Sequence, residues 1–400
     1  MTATALPRRL VLYLAAVQCL ATLSWIAYVV YLPQLAASAG VPASAVGWIL
    51  LADQVVFALA DLALGKAADR ALAAMRSLGP WLVAITVLSG AAFVAMPIIA
   101  DMGAPPFFLA LILFWALASS VLRAPALALV AKRTPTPALP WLATLVVIGT
   151  ALAAAAAPYL ALMAKQVHPR WPFLLATVTL VAAVLGLALA ERRGALADHE
   201  SATPREIKGA LTLGGSTAVA AFFVAAALLA IGMQIHTNIN TTPLFKQFAP
   251  TNALPWLLPA FSVGTSLLAF VGARASKRAG ALRALTWVAF FGAVFSAAAA
   301  VAPGLVPLTV AQFLAGGAWG AINAVLVAHA LTLGRPGREG AMAGRLSALL
   351  AVAALLRLGL VNLQIPALPP FAAVFPWLPS LCWAAAALCL WHARSKGRSG

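Results

Sequence analysis

Long apolar runs separated by short polar segments make up most of this chain. A spanning helix needs about 20 largely apolar residues, because each residue adds about 1.5 Å and the hydrocarbon core of a bilayer is about 30 Å thick. Runs of that length lie at 10–32, 43–65, 78–100, 106–130, 139–163, 171–190, 213–239, 254–273, 282–302, 305–332, 342–363 and 371–392. The pattern predicts an all-α polytopic membrane protein with twelve transmembrane helices.

The overall composition agrees with this prediction. Of the 400 residues, 64% are hydrophobic and 9% are charged, whereas about a quarter of the residues in a soluble domain are charged. A soluble fold has too little interior to bury so much apolar surface, and a bilayer removes that conflict by solvating the outer face. We therefore expect the lipid bilayer to be a partner of the protein.

The positions of Lys and Arg predict the orientation of the helices. If the N-terminus is cytoplasmic, the segments on that side hold 21 of the 26 basic residues and those on the other side hold 3. Basic loops face the cytoplasm, so both termini are predicted there. The formal net charge of +17 then reflects topology, and we expect no nucleic-acid partner because the basic residues form no continuous stripe. The Ala-rich composition is consistent with a high-GC bacterium, which indicates the inner membrane.

A polar linker divides the runs into two sets of six. It covers 191–211, and we place an N-terminal bundle at 1–190 and a C-terminal bundle at 212–400. A Pro, a Trp and a Gly followed by basic residues recur in that order in both halves: Pro33, Trp48 and Gly65, then Pro243, Trp256 and Gly272. Parallel six-helix repeats of this kind are typical of one transporter architecture.

The segment after run 2, GKAADRALAAMR, resembles the signature of the Major Facilitator Superfamily. Gly65, Asp69, Arg70 and Arg76 match it, whereas Leu72 stands where the family has a Gly. A degenerate copy follows run 8, with Ser276 in place of the acid; its matching residues are Gly272, Lys277, Arg278, Gly280 and Arg283. The resemblance implies two six-helix bundles that rock about a central site. It also implies a cytoplasmic gating loop that latches the halves together, formed by Gly65, Asp69, Arg70, Gly272, Lys277 and Arg278.

Run 5 departs from the exporters of this family. Many proton-coupled exporters carry a Gly-Pro-rich motif there, whereas Gly149 and Pro158 are separated here by an Ala-rich stretch. The direction of transport is therefore left open.

Four ionisable residues lie well inside the runs: Asp53, Asp61, Arg123 and Arg357. Each costs at least about 2.5 kcal/mol at the centre of a bilayer, so partners are expected. Depths calculated from the helical rise predict an Asp61–Arg123 pair and an Asp53–Arg357 pair. The second pair would join run 2 to run 11 across the halves and act as a conformational switch; the alternative is that both pairs only fix helix register. Arg123 also resembles the intramembrane Arg of helix 4 in many proton-linked family members.

The outer end of run 7, GMQIHTNINTTPLF, is unusually polar. Gln234, His236, Asn238, Asn240 and Thr242 alternate with apolar or small residues. Either the segment is a polar mouth where the helix ends before Pro243, or it contacts substrate in a water-filled cavity.

Isolated polar residues in other runs either line that cavity or hold helices together. They are Gln18, Ser24, Gln54, Asn323 and Asn362. The AQFLAGGAWGAINA stretch of run 10, with Gly316, Gly317 and Gly320, is interpreted mainly as a close-packing surface.

No enzyme, nucleotide or metal signature is present in the sequence, so we expect neither enzymatic activity nor a cofactor.

The sequence predicts a secondary active transporter that moves a small solute by alternating access and works as a monomer. Protons are the first choice of coupling ion because Asp53, Asp61 and His236 can titrate. The two buried Arg residues favour an organic anion or amphipathic compound. The alternative is a non-transporting membrane sensor or assembly factor on the same scaffold.

Overall fold

The computed structural model describes residues 8–74, 79–120, 123, 127–128, 131, 134, 136–164, 166–192, 216–335 and 337–396. We number the twelve long helices in chain order. They are α1 (Arg8–Ser38), α2 (Val46–Ala74), α3 (Gly79–Asp101), α4 (Pro105–Ser119), α5 (Leu139–Met163), α6 (Arg170–Arg192), α7 (Ser216–Ile235), α8 (Pro259–Ala279), α9 (Ala281–Ala300), α10 (Leu305–Leu333), α11 (Glu339–Asn362) and α12 (Leu378–Lys396).

Each predicted run overlaps one of these helices, so the all-α polytopic fold is confirmed, although α4 ends at Ser119, before the end of run 4, and α12 begins at Leu378, after the start of run 12. Within the described residues, ten helices are long and apolar enough to cross a membrane; of the twelve predicted spans, α4, a shorter apolar helix of 15 residues, and α12 are not among these ten. The predicted linker at 191–211 lies almost entirely outside the described residues, and its boundaries stay a prediction.

The outer surface of the bundle is apolar, as a lipid environment requires. Large hydrophobic side chains such as Phe107 and Val306 are more than 70% exposed, at 72% and 73%. By contrast, most of α10 is buried by other helices, which places it inside the second half of the bundle, α7 to α12. The end of the bundle where α1 begins and α2 ends carries most of the basic residues; we call it the basic end, and the other the opposite end.

Glycines allow the closest helix contacts. A side chain at Gly316 or Gly320 of α10 would overlap a backbone oxygen of α8, and one at Gly149 of α5 would overlap a backbone oxygen of α1. Helices can approach this closely only where no Cβ intervenes. The interpretation of the α10 glycines as a packing surface is therefore confirmed.

The halves meet along two seams, α2 against α11 and α5 against α8 and α10. The α2–α11 contact extends over most of both helices, from Gly47 beside Asn362 near the opposite end to Gly65 beside Gly340 near the basic end. The expectation that helices 2 and 11 face each other across the halves is thus confirmed.

The polar end of run 7 does not terminate the helix, contrary to one of the two interpretations above. A π-helical turn, His236–Asn240, follows α7, and a short α-helix continues over Thr241–Lys246. Pro243 has no N–H to donate and its ring disturbs the preceding turn, so regular α-helical bonding is interrupted there. The wider turn is followed by further α-helix up to Lys246.

Candidate functional site

A cavity of about 810 Å³ lies between the two halves. It falls within the 300–1,000 Å³ that small-molecule sites usually occupy. Helices of both halves line it, with α1 to α6 on one side and α7, α8, α10 and α11 on the other. Six of the predicted substrate or coupling residues line this cavity: Asp61, Arg123, Arg357, Gln234, Asn238 and Asn323.

The predicted Asp61–Arg123 pair is present. Arg123 Nη2 lies 3.0 Å from Asp61 Oδ2, and its guanidinium carbon lies 4.0 Å from the ring centroid of Phe57. The Asp61 side chain is fully buried, whereas that of Arg123 is 34% exposed. Among the residues that the structure describes, Asp61 Oδ1 and Arg123 Nε have no hydrogen-bond partner, so the pair retains unused polar atoms at the cavity wall.

The predicted Asp53–Arg357 pair is wrong. Asp53 is fully buried and accepts a 2.7 Å hydrogen bond from the Tyr28 hydroxyl. Successive residues of an α-helix are turned by about 100°. Gln54 lines the cavity, so its neighbour Asp53 is rotated into the first half, where α1 supplies Tyr28.

Arg357 is consequently a cavity cation without a paired acid. Within the described residues no carboxylate forms an ion pair with it, and its buried Nε has no hydrogen-bond partner. Asn323 Oδ1, which belongs to another cavity-lining side chain, is also buried without a hydrogen-bond partner in the described part of the chain. An unmatched donor and an unmatched acceptor in one cavity are features that a bound ligand would satisfy.

The polar segment that begins at Gln234, near the end of α7, has two different faces. Gln234 and Asn238, four residues apart, line the cavity, and Asn238 Nδ2 donates to Gln234 Oε1 at 3.0 Å. His236 and Asn240 point into the second half instead. There His236 Nε2 lies 2.9 Å from Gln312 Oε1, and Asn240 Nδ2 donates to the Phe375 carbonyl at 2.8 Å.

His236 is therefore a packing residue in this structure, not a cavity residue. Its partner Gln312 was missed at the level of sequence, although an amide in the apolar run of α10 signals a buried hydrogen bond.

At the basic end, Asp69 joins the two halves. Its carboxylate accepts hydrogen bonds from the backbone N–H groups of Gly340 and Ala341, at 2.7 and 2.8 Å, in the first turn of α11. The first N–H groups of a helix have no partner within it, and the helix dipole favours an anion there. Gly65 lies one turn away, and a Cβ on it would overlap the Gly340 carbonyl.

The other predicted gating residues lie nearby but make different contacts. Arg70 is exposed on α2, and Lys277 and Arg278 are exposed in the last turn of α8. Gly272 packs against the backbone of Ala321 in α10, within its own half. Gly280, with φ 84°, forms the turn between α8 and α9 in a conformation that favours glycine.

A second contact between the halves at the basic end was missed by the sequence analysis. Arg335, just after α10, donates to the carbonyls of Ala131 and Thr134 at 2.5 Å each and to Thr136 Oγ1 at 2.9 Å. In the sequence, Arg335 is one of many basic residues in the loops, and the residues beside it do not indicate that it would bind these carbonyl groups.

Aromatic side chains of the first half were also missed as cavity residues. We call Trp25, Phe57, Phe93 and Trp115 the aromatic wall, since all four line the cavity. The Trp25 and Trp115 rings are stacked, with centroids 6.1 Å apart and planes 6° from parallel. These residues come from four different helices, and nothing local separates them from aromatics that face lipid.

Comparison with known proteins places this architecture in a family. The family model described as Major Facilitator Superfamily matches residues 14–363. Comparison with curated proteins gives no match.

Solved structures with the same fold include three transporters. The human organic anion transporter MFSD10 is 15% identical, with a TM-score of 0.68, and the match covers 96% of this chain and 99% of that one. A bacterial homologue of the iron transporter ferroportin, in an outward-facing state, is 11% identical, with a TM-score of 0.71 and coverage of 97% and 100%. The E. coli fucose:proton symporter FucP is 14% identical, with a TM-score of 0.61 and coverage of 95% and 97%.

At these identities the solved structures show a shared fold and no more. The family model, in contrast, matches most of the sequence, including most of α1, all of α2 to α11 and the motif that begins at Gly65. The chain therefore belongs to the Major Facilitator Superfamily.

Proposed function

We propose that this membrane secondary transporter moves small organic anions by alternating access and that protons drive it. The membrane would be the bacterial inner membrane, with the basic end facing the cytoplasm as the distribution of Lys and Arg predicts. The observation that carries the substrate class is Arg357.

A cation in the central cavity without a paired acid favours an anionic ligand. Arginine keeps its charge under physiological conditions, and an unpaired charge in the membrane interior is costly. The guanidinium of Arg357 offers several N–H donors in the geometry that a carboxylate accepts. A bound organic anion would supply the missing counter-charge, and the partnerless Nε is one donor available for it.

The coupling proton is assigned to Asp61. In the cavity this carboxylate and any anionic substrate compete for the guanidinium of Arg123. Protonation of Asp61 would remove its charge and leave Arg123 available to a substrate anion. Proton binding and anion binding would then favour each other, which is the linkage that a coupled carrier needs.

Alternating access is supported by the contacts that close the basic end. Opening that end requires Asp69 to leave the first turn of α11 and Arg335 to leave the carbonyls of Ala131 and Thr134. These are polar contacts between the halves that can break without disturbing the core of either half. The organic anion transporter and the fucose:proton symporter of the same fold agree with the proposal, but at 14–15% identity they do not carry it.

Uptake by proteoliposomes tests the proposal. Purified protein is reconstituted, and uptake of radiolabelled carboxylates, neutral solutes and organic cations is measured with and without an imposed proton gradient. Arg357→Gln should lower carboxylate uptake about ten- to hundredfold, since a hydrogen bond to a charged group contributes about 1.5–3 kcal/mol. Asp61→Asn should remove the response to the proton gradient.

The exposed ion pair between Asp101 and Arg170 provides matched controls. Arg170 Nη2 lies 2.5 Å from Asp101 Oδ2 at the opposite end of the bundle, outside the cavity. Asp101→Asn and Arg170→Gln should leave both measurements unchanged. Carboxylate uptake that survives Arg357→Gln would refute the anion assignment. If the folded protein takes up none of the solutes tested, the alternative function as a sensor or assembly factor is favoured instead.

A further inference from the structure

The aromatic wall gives the first-half side of the cavity a distinct chemistry. Trp25 stands at its centre: its ring centroid lies 5.0 Å from that of Phe57, in an edge-on arrangement, as well as being stacked on Trp115. Phe93 stacks on Trp115, with centroids 5.0 Å apart. Such a continuous set of rings offers both faces and edges to a further ring.

The indole N–H groups of the wall are available to a ligand. Buried Trp N–H groups usually find an acceptor, as Trp383 does with the Leu229 carbonyl at 2.9 Å. Within the described part of the chain, neither Trp25 nor Trp115 donates such a hydrogen bond. The wall therefore combines apolar ring surface with unused donors.

The register of the α2–α11 seam relates the wall to Arg357. Gly47 meets Asn362, and Gly65 meets Gly340, so the two helices run antiparallel along the seam. Interpolation between these contacts places Arg357 level with about residue 51 of α2. Phe57 then lies roughly 9 Å away along the helix axis, towards the basic end. The long Arg side chain can extend over part of that distance.

We propose that the cavity binds aryl-alkyl carboxylates. The aromatic ring of the substrate packs against Trp25 and its neighbours, a short alkyl chain covers the remaining distance, and the carboxylate binds Arg357. The inference rests on the proposed function, because it deepens the anion assignment by specifying what the anion carries. A ring is favoured over a saturated group of the same shape because ring–ring geometry adds affinity beyond buried area, about two- to tenfold.

Four small molecules separate the two parts of the site. The probes are phenylpropionate, its saturated analogue cyclohexylpropionate, the neutral phenylpropionamide, and propionate. Affinity is measured by calorimetry on the full chain in lipid nanodiscs. Phenylpropionate should bind about two- to tenfold more tightly than cyclohexylpropionate, although the saturated ring is the more hydrophobic of the two. It should bind at least about tenfold more tightly than the amide, because the amide carries no charge for Arg357.

Variants assign each preference to its residue. Trp25→Leu should abolish the advantage of the aromatic ring, and the conservative Trp25→Phe should retain most of it. Trp81→Leu is the control, since Trp81 is 58% exposed on α3 and lies outside the cavity. Arg357→Gln should weaken both ring carboxylates and leave the affinity for the amide unchanged.

The outcomes distinguish this inference from the proposed function. If phenylpropionate and cyclohexylpropionate bind equally and only Arg357→Gln weakens them, the aromatic inference is overturned and the anion assignment stands. If no carboxylate binds at millimolar concentration, or if Arg357→Gln does not change carboxylate affinity, both the aromatic inference and the anion assignment fail. The comparison of the four probes on the unaltered protein does not depend on the folding of any variant.

Discussion

Substitution of one glycine of α11 by alanine tests how the α2–α11 seam closes. A Cβ on Gly344 would overlap the backbone oxygen of Asp61 and would come within 3.3 Å of the Cα atom of Gly65. Gly359 lies on the same helix, and a Cβ there would have no neighbour within 4 Å among the described residues. The two substitutions are chemically identical, so any difference between them arises from the seam.

The size of the effect follows from the contact distances. Ordinary van der Waals contact of a Cβ begins at 3.4 Å, so the helices must separate by about 1 Å to accommodate Gly344→Ala. Overpacking of this kind costs about 1–3 kcal/mol, which is about a 5- to 150-fold change in a conformational equilibrium. The separation also weakens the hydrogen bonds from Gly340 and Ala341 to Asp69, at 2.7 and 2.8 Å. Gly359→Ala should instead stabilise its helix, by about 0.5–1 kcal/mol.

Pulsed electron paramagnetic resonance measures the separation directly. Spin labels are placed at Lys66 on α2 and Arg345 on α11, both of which are exposed near the basic end. The native Cys19, Cys382 and Cys389 are first replaced by Ser. Gly344→Ala should add a population with a longer distance between the labels, whereas Gly359→Ala should reproduce the parent distribution.

Two results would refute the reasoning. An unchanged distance distribution in Gly344→Ala, with normal uptake in proteoliposomes, would show that close glycine contact does not hold the seam. An equal change in Gly359→Ala would show that helix stiffness, and not steric contact with α2, is responsible.

Three further predictions concern the polar groups. Asp61→Asn should lower the free energy of unfolding by about 2–3 kcal/mol because it leaves the partly exposed Arg123 unpaired. Thermal unfolding of the double variant, Asp61→Asn with Arg123→Gln, should show that part of this loss is restored. If the losses of the two single variants simply add in the double variant, the pairing is contradicted. Asp69→Asn should weaken the contact with α11 by about 1–2 kcal/mol and add the same longer-distance population between the spin labels, while an unchanged distribution would count against the latch. His236→Gln should leave the pH profile of uptake unchanged, because His236 faces Gln312 and not the cavity; an altered profile would place the coupling proton there.

Part of the candidate site was predictable from the sequence. The depth of a residue in a spanning helix follows from its position in the apolar run, and this was sufficient to pair Asp61 with Arg123. The motif that begins at Gly65 likewise predicted a contact between the halves at Asp69, which the structure shows at the first turn of α11.

Residues at the right depth but on the wrong face were mispredicted. Asp53 lies at a depth compatible with Arg357, yet it bonds to Tyr28 because one residue of rotation separates it from the cavity-lining Gln54. His236 is turned away from the cavity while Gln234 faces it, for the same reason. Depth is a one-dimensional quantity that the sequence carries, whereas the azimuth of a side chain depends on neighbouring helices.

The sequence by itself determined the number, order and approximate ends of the helices, because the thickness of the bilayer sets the length of each apolar run. Only the tertiary structure decided which side chains face the cavity, the seams or lipid. In a soluble protein, hydrophobic periodicity would mark the buried face of each helix. In a membrane protein both the core and the surroundings are apolar, so that signal is weak. The aromatic wall and the unpaired Arg357 therefore emerged only once the helices were packed together.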